Sequence, residues 1–131
     1  MTIEQCYASL GGSYEDFLAR AGKKERVEKY ALRMLDDTNF SALKAALESG
    51  DWAAAFAAAH TLKGNAANLS LVRLQSSVSE LTELLRPYSP MAGAAPAAPP
   101  DGAKVTELFV AAERDYLAMR EAITLFRDNR E

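Results

Sequence analysis

The sequence predicts an all-α protein, an antiparallel four-helix bundle with short additional helices at its N-terminus. Apolar residues recur at steps of three and four along most of the 131-residue chain, which is the spacing of one helix face. No stretch alternates apolar and polar residues between hairpin turns, so no strand is predicted. Four long segments carry one apolar stripe each, and four such helices bury their stripes best against one another.

Two short helices are expected ahead of the longer ones. The first covers Ile3–Leu10 and is stopped by Gly11 and Gly12, while the second begins after Ser13 and ends before Gly22. Glycine is common just past a helix end, because it adopts the left-handed backbone that closes the last turn. Ser13 is expected to cap the second helix, since its hydroxyl can accept a hydrogen bond from a free backbone N–H of the first turn.

The first two long helices follow. One starts near Lys24, and the letters DDTN at 36–39 are expected to kink or break it, because Asp, Thr and Asn compete for backbone hydrogen bonds. This segment ends at Gly50. Asp51 is placed to cap the next helix, which we expect from Trp52 to about Asn68.

The last two long helices are separated by an unusual connector. Ser70 is expected to cap the third long helix, and Pro87 to close it. Residues 87–103 contain all five prolines of the chain and are predicted to be flexible or partly extended. The final helix is expected over Lys104–Arg127. We therefore divide a single domain, 1–131, into a short N-terminal helix at 1–12, the bundle at 13–86 and 104–127, and the Ala/Pro-rich connector at 87–103.

Composition excludes several classes of protein. The chain is 49% apolar and 25% charged, with a net charge of −3, so no strongly basic face for nucleic acid is expected. Cys6 is the single cysteine and cannot form an internal disulfide, which favours a reducing compartment. The N-terminal residues lack the basic and apolar segments of a secretory signal, and no apolar run approaches the roughly 20 residues that span a bilayer. We expect a cytoplasmic protein without a membrane segment.

The helix at 52–68 carries the only histidine of the chain, His60. On a helical wheel this residue projects away from the apolar face, among small neighbours. Gly64 lies one turn further on, where a glycine inside a helix costs about 1 kcal/mol relative to alanine. Lys63 adds a permanent positive charge to the same face. The apolar face itself is expected to contain Ala55, Ala59, Leu62, Ala66 and Leu69.

An exposed imidazole beside an ammonium and a glycine suits phosphoryl chemistry. A neutral imidazole nitrogen can attack phosphorus, Lys63 can offset the charge of the phosphoryl group, and Gly64 leaves room for its oxygens and for a partner. Lys63 is also the only ionic group between Asp51 and Arg73. A charge-poor patch of this kind is typical of the centre of a transient interface. We expect the partner to contact Phe56, Ala57 and Ala67.

The letters AHTLKGNAANLSL resemble the signature of histidine-containing phosphotransfer (Hpt) domains, H-x-x-K-G on the second long helix of a four-helix bundle. The order of helices and the letters SGDW before the histidine helix fit as well, over about Ser13 to Arg127. The resemblance implies that His60 is the phospho-acceptor, that Lys63 stabilises the phosphoryl group and that Gly64 gives clearance.

The resemblance also implies partners. Family members pass phosphoryl groups to and from an aspartate of response-regulator receiver domains, in pathways that begin with a sensor histidine kinase. They have no kinase activity and no cofactor of their own, because the receiver domain supplies the magnesium. We expect the same here, with a monomeric chain that is a carrier and not an enzyme.

Two positions depart from the family pattern. Many members have glycine ten residues after the histidine, where this chain has Ser70, and a serine N-cap is expected to serve the turn equally well. Some members have a glutamine on the following helix that bonds near the histidine. The matching position is Thr82, on a polar strip with Gln75, Ser79 and Arg86. Thr82 and Gln75 are candidates for orienting the histidine, although Thr82 is shorter than the glutamine it replaces and the strip could be an ordinary solvated helix face.

Other interpretations of His60 stay open at this point. It could be a core histidine that donates to a backbone carbonyl. A metal site is not expected, since there is no second histidine and no Glu-x-x-His pair. The chain could also be a helical adaptor that binds a receiver or kinase without being phosphorylated. Alternatively, it could be the histidine domain of a larger chemotaxis-type or hybrid kinase.

Overall fold

The computed structural model describes residues 1–130 and is helical, with no strand in that range. The all-helical prediction is therefore confirmed. Seven α-helices follow one another along the chain: α1 (Ile3–Leu10), α2 (Tyr14–Ala21), α3 (Lys24–Arg33), α4 (Asn39–Ser49), α5 (Trp52–Asn68), α6 (Val72–Leu85) and α7 (Gly102–Asn129).

The N-terminal helices begin at side-chain caps. Thr2 and Gln5 form a reciprocal capping box at the start of α1, in which each side chain accepts from the other residue's backbone N–H. Ser13 caps α2 as predicted, since its hydroxyl oxygen accepts from the N–H of Asp16 at 3.3 Å. Both helices are therefore specified by residues within a few positions of their first turn.

The predicted break between α3 and α4 is confirmed. Met34–Asp36 forms a single 3-10 turn, and α4 begins only at Asn39. The carboxylate of Asp37 accepts from the backbone N–H of Phe40 at 3.0 Å and from the hydroxyl of Tyr116 at 2.9 Å. The same carboxylate thus caps α4 and joins this corner to α7.

The core lies between consecutive helices. The helix α5 packs against α4 and α6, α6 packs against α7, and α1 lies on α7. The rings of Phe40 and Tyr116 stack with centroids 4.2 Å apart, so α4 also meets α7. Fully buried side chains come from both the short and the long helices and include Ile3, Tyr7, Val27, Leu43, Leu62, Leu71, Val78, Leu81, Leu85, Met119, Ile123 and Phe126.

The connector is partly ordered by local contacts. It opens with 3-10 turns at Arg86–Tyr88 and Pro90–Ala92, and the Tyr88 hydroxyl donates to the carbonyl of Ala98 at 2.7 Å. Residues 91–99 are exposed. The final helix begins at Gly102, slightly earlier than predicted, because Asp101 accepts from the first free N–H groups. Within residues 1–130, no helix has both the length and the apolar character needed to cross a membrane.

Candidate functional site

His60 lies on the exposed side of α5. Four residues of the predicted apolar face of this helix, Ala55, Ala59, Leu62 and Ala66, are completely buried, and Leu69 is half-buried. The imidazole points away from them and is exposed. The alternative of a core histidine disagrees with this placement, because the residue is exposed.

The ring of Phe56 packs against the imidazole of His60. The two rings stack with centroids 5.5 Å apart and planes 17° from parallel. Phe56 is not exposed as expected, because only 9% of the residue is accessible. Its contact with a partner stays a prediction. Phe56 lies one turn before His60 and turns inward toward α6, where the guanidinium carbon of Arg86 lies 5.4 Å from its ring centroid. A buried ring in this position restricts how the imidazole can tilt.

Charged side chains from two helices flank the stacked rings. The ammonium of Lys63 lies 3.9 Å from Glu83 Oε1, which is carried by α6. Glu83 also accepts from Arg86 through both carboxylate oxygens, at 2.8 and 3.0 Å. The hydrogen bond from Arg86 is the main reason that the pKa of Glu83 falls below its usual value. We call His60, Phe56, Lys63, Glu83 and Arg86 the His60 face.

Sequence reasoning missed Glu83 and the role of Arg86. Arg86 was visible only as one member of the polar strip of α6, and nothing marked Glu83 as different from the other acidic residues. Both lie more than twenty positions from His60, and the rotation of α6 against α5 decides which of its residues meet Lys63. Local patterns therefore carry no signal for them.

Gly64 borders open space. A β-carbon built on this residue would meet no atom within 4 Å, apart from its own helix. Packing within residues 1–130 therefore does not require a glycine here. Ala57 is exposed and Ala67 is half-buried, so the predicted contact residues other than Phe56 remain accessible.

The positions predicted to orient the histidine do not reach it. Thr82 is fully buried, and its hydroxyl donates to the carbonyl of Val78 at 2.8 Å. Placing Thr82 on a solvated polar strip was therefore wrong. Gln75 is half-buried, two turns before Thr82. Within residues 1–130, no hydrogen bond joins either side chain to His60. The ring of Phe56 packs against His60 instead.

The prediction that Ser70 caps α6 is wrong. The residue before the helix is Leu71, without a side-chain cap, and Ser70 has a left-handed backbone with φ of 54°. Glycine adopts this conformation far more easily than serine. This explains why a glycine suits the same position in the family pattern that the sequence resembles. Ser70 is 2% exposed, and its hydroxyl donates to Asp16 at 2.6 Å and accepts from Arg20 at 2.7 Å.

These contacts hold the end of α5 to α2. Arg20 also donates to the backbone carbonyl of Asn68 at 2.7 Å and to Asp16 at 2.9 Å. Hydrogen bonds from Ser70 first and Arg20 second hold the pKa of Asp16 below its usual value. We call Asp16, Arg20 and Ser70 the turn clamp. No local pattern indicates this clamp, because Ser70 lies about fifty residues from Asp16 and Arg20.

No group of three or more His, Cys, Asp or Glu side chains suited to a metal ion occurs within residues 1–130. The His60 face consists of one imidazole, one phenyl ring, two cations and one carboxylate.

Comparison with known proteins gives one match. The model of the Hpt domain family matches residues 32–127, from the end of α3 to the end of α7. The matched range contains the whole His60 face, whereas Asp16 and Arg20 of the turn clamp precede it. No curated protein and no solved structure gives a significant match to the chain.

Proposed function

The chain belongs to the Hpt domain family, and from this premise we propose that it carries phosphoryl groups between receiver domains of a phosphorelay, with His60 as the phospho-acceptor. Hpt domains serve histidine phosphotransfer in two-component signalling. The observation that supports the assignment to His60 is the exposed imidazole stacked on Phe56 with the ammonium of Lys63 on the same face.

The transfer is a displacement at phosphorus. A ring nitrogen of neutral His60 forms the N–P bond with its lone pair while the P–O bond to the receiver's aspartate breaks, and the electron pair of that bond stays with the departing carboxylate. The second ring nitrogen holds its proton or releases it to water. Transfer onward reverses the same bonds. Since little covalent machinery is needed, positioning and charge neutralisation supply the catalysis.

Each residue of the His60 face has a role in this proposal. Phe56 fixes the plane of the imidazole, which keeps the attacking lone pair in one direction. Lys63 and Arg86 offset the charge of the phosphoryl oxygens. Gly64, Ala57 and Ala67 leave room for the surface of the receiver. Gln75 and Thr82 have no part, since Thr82 is buried and neither bonds to His60.

The remaining features of the proposal follow from the family. The partners are receiver domains and a sensor histidine kinase, the receiver brings the magnesium, and the chain has no kinase activity or cofactor of its own. We propose a cytoplasmic monomer that does not bind nucleic acid. The contacts of α5 with α4 and α6, and of α7 with α4 and α6, support an antiparallel four-helix bundle of α4–α7 within a single domain.

The test is transfer from a radiolabelled, phosphorylated receiver domain to the purified chain. Because His60 is the only histidine, acid-labile and alkali-stable label must reside on it, and we expect His60→Gln to lose all of it. We expect Lys63→Ala to slow the transfer at least tenfold, since charge stabilisation in such steps is worth a few kcal/mol.

A matched control separates a specific effect of Lys63 from a general change in charge. Lys44 of α4 pairs with Glu113 of α7 at the same 3.9 Å separation and belongs to no ion pair of the His60 face, so Lys44→Ala should transfer at the wild-type rate. If receivers bind the chain but never label it, the protein is an adaptor and not a carrier. If Lys63→Ala unfolds the chain, the role assigned to Lys63 is structural.

A further inference from the structure

Both cations of the His60 face are bound to one carboxylate. Glu83 Oε1 lies 2.8 Å from a guanidinium nitrogen of Arg86 and 3.9 Å from the ammonium of Lys63, while Oε2 accepts from Arg86 Nε at 3.0 Å. Glu83 is the only acidic residue that pairs with either cation within residues 1–130. In the unphosphorylated protein, the two positive charges that we expect to bind the phosphoryl group are therefore already paired with Glu83.

The ion pairs of Glu83 with Arg86 and Lys63 can exchange the carboxylate for another anion. Roughly half of the Glu83 and Arg86 side chains is exposed, and none of the three side chains bonds to backbone in this cluster. Ion pairs as exposed as these are weak and reorganise readily in water. A phosphoryl group on His60 carries more negative charge than a carboxylate and offers three acceptor oxygens. It can therefore draw Lys63 and Arg86 away from Glu83.

We propose that Glu83 is a positioning residue that competes with the phosphoryl group for Lys63 and Arg86. Before transfer, Glu83 holds the two cations at the His60 face. After transfer, its displaced carboxylate lies near a second anion without its former partners, which raises the free energy of the phosphorylated state. Glu83 thereby favours onward transfer, when the N–P bond breaks and the cations return to it. This inference rests on the proposed function.

The experiment measures the equilibrium between a phosphorylated receiver and phospho-His60. Glu83→Gln keeps the size of the side chain and removes its charge. We expect the equilibrium to shift toward phospho-His60 by about threefold to tenfold, the effect of one unit charge several ångströms away in a mostly aqueous medium. The shift should shrink in 1 M salt, where the screening length falls to about 3 Å.

Glu80→Gln is the matched control. Glu80 lies one turn earlier on the same helix, is exposed, and has no ion pair within residues 1–130. The Glu80→Gln substitution changes the net charge by the same amount and leaves the ion pairs of Lys63 and Arg86 in place. We expect the wild-type equilibrium for this variant.

The outcomes separate the two proposals. A shift in Glu83→Gln alone supports competition at the His60 face. An unchanged equilibrium, an equal shift in both variants, or a shift away from phospho-His60 overturns the role of Glu83 while leaving the carrier function intact. If the wild-type chain accepts no label at all, the proposed function fails and the role of Glu83 fails with it.

Discussion

Gly64 and Ser70 lie close together in the chain, and neither is the residue type that its backbone conformation favours. Gly64 is a helical residue beside open space, where the fold has no need of a glycine. Ser70 has a positive φ, where a glycine would be the easier residue. At Gly64 no contact within residues 1–130 offsets the lower helix propensity of glycine, whereas at Ser70 side-chain hydrogen bonds offset the cost of the left-handed backbone.

The polar clusters around these two positions differ in the same way. The His60 face and the turn clamp each combine a carboxylate with an arginine, and their ionic side chains are similarly exposed. Arg20 of the clamp donates to backbone carbonyls at the end of α5, nearly fifty residues away. Within residues 1–130, Arg86 hydrogen-bonds only to the carboxylate of Glu83, three residues before it, and its guanidinium lies over the ring of Phe56. Backbone anchors make the clamp structural, whereas their absence leaves the His60 face free to rearrange.

The largest effect is expected at Ser70. Ser70→Ala removes a buried hydroxyl with two hydrogen bonds and keeps a β-carbon on a left-handed backbone, so we expect a loss of about 2 kcal/mol in the free energy of unfolding. Ser70→Gly loses the same bonds but relaxes the backbone, and should lose about 1 kcal/mol less. Urea denaturation measures both values.

Ser77→Ala serves as the control for Ser70, because Ser77 is also buried but its hydroxyl bonds only within α6. Its loss should be smaller than that of Ser70→Ala. Were Ser70→Gly the less stable of the two Ser70 variants, backbone strain at this turn would be negligible, and the contrast with Gly64 would disappear.

A pair of arginine substitutions tests whether the two clusters differ in kind. Arg20→Ala should lower the free energy of unfolding by about 1 to 2 kcal/mol, because carbonyls of α5 and the Ser70 hydroxyl lose their donor. It should leave the rate of phosphoryl transfer unchanged. Arg86→Ala should do the reverse, with an unaltered urea midpoint and slower transfer. If both variants change the same property, the division into a structural and a functional cluster is wrong.

The smallest effect is expected at Gly64. Gly64→Ala should raise the free energy of unfolding by about 0.5–1 kcal/mol, since the new methyl group meets no neighbour and alanine favours the helix. The same variant should slow transfer from the receiver. Gly102→Ala is the control, because its β-carbon also enters open space but at the start of α7. Equal transfer rates in wild type and Gly64→Ala would refute the clearance argument.

Several features of the fold could be read from local sequence. The ends of α1 and α2 follow from caps within a few residues of each helix. The break before α4 follows from residues 36–39, DDTN, which include Asp37. The exposure of His60 followed from its angle on the helix relative to Leu62. These features depend on hydrogen bonds and periodicity over a few residues, which a single chain segment contains completely.

The errors all concern contacts between segments. Phe56 and Thr82 were placed on exposed faces because the wheel of one helix does not show how its neighbour covers it. The sequence around Ser70 predicts a helix cap, whereas the partners of its hydroxyl lie on α2. Burial and long-range hydrogen bonding are properties of pairs of helices, so neither could be derived from one segment alone.

By itself, the sequence determined the helices, the Hpt signature around His60 and the lysine and glycine beside it, because each of these is encoded within one or two turns. Only the tertiary structure decided that Phe56 supports the imidazole, that Glu83 and Arg86 join Lys63, and that α2 holds the turn at Ser70. Glu83 and Arg86 lie twenty or more positions from Lys63, and Ser70 lies about fifty from Asp16 and Arg20. The packing of α6 and α2 against α5 brings these groups together.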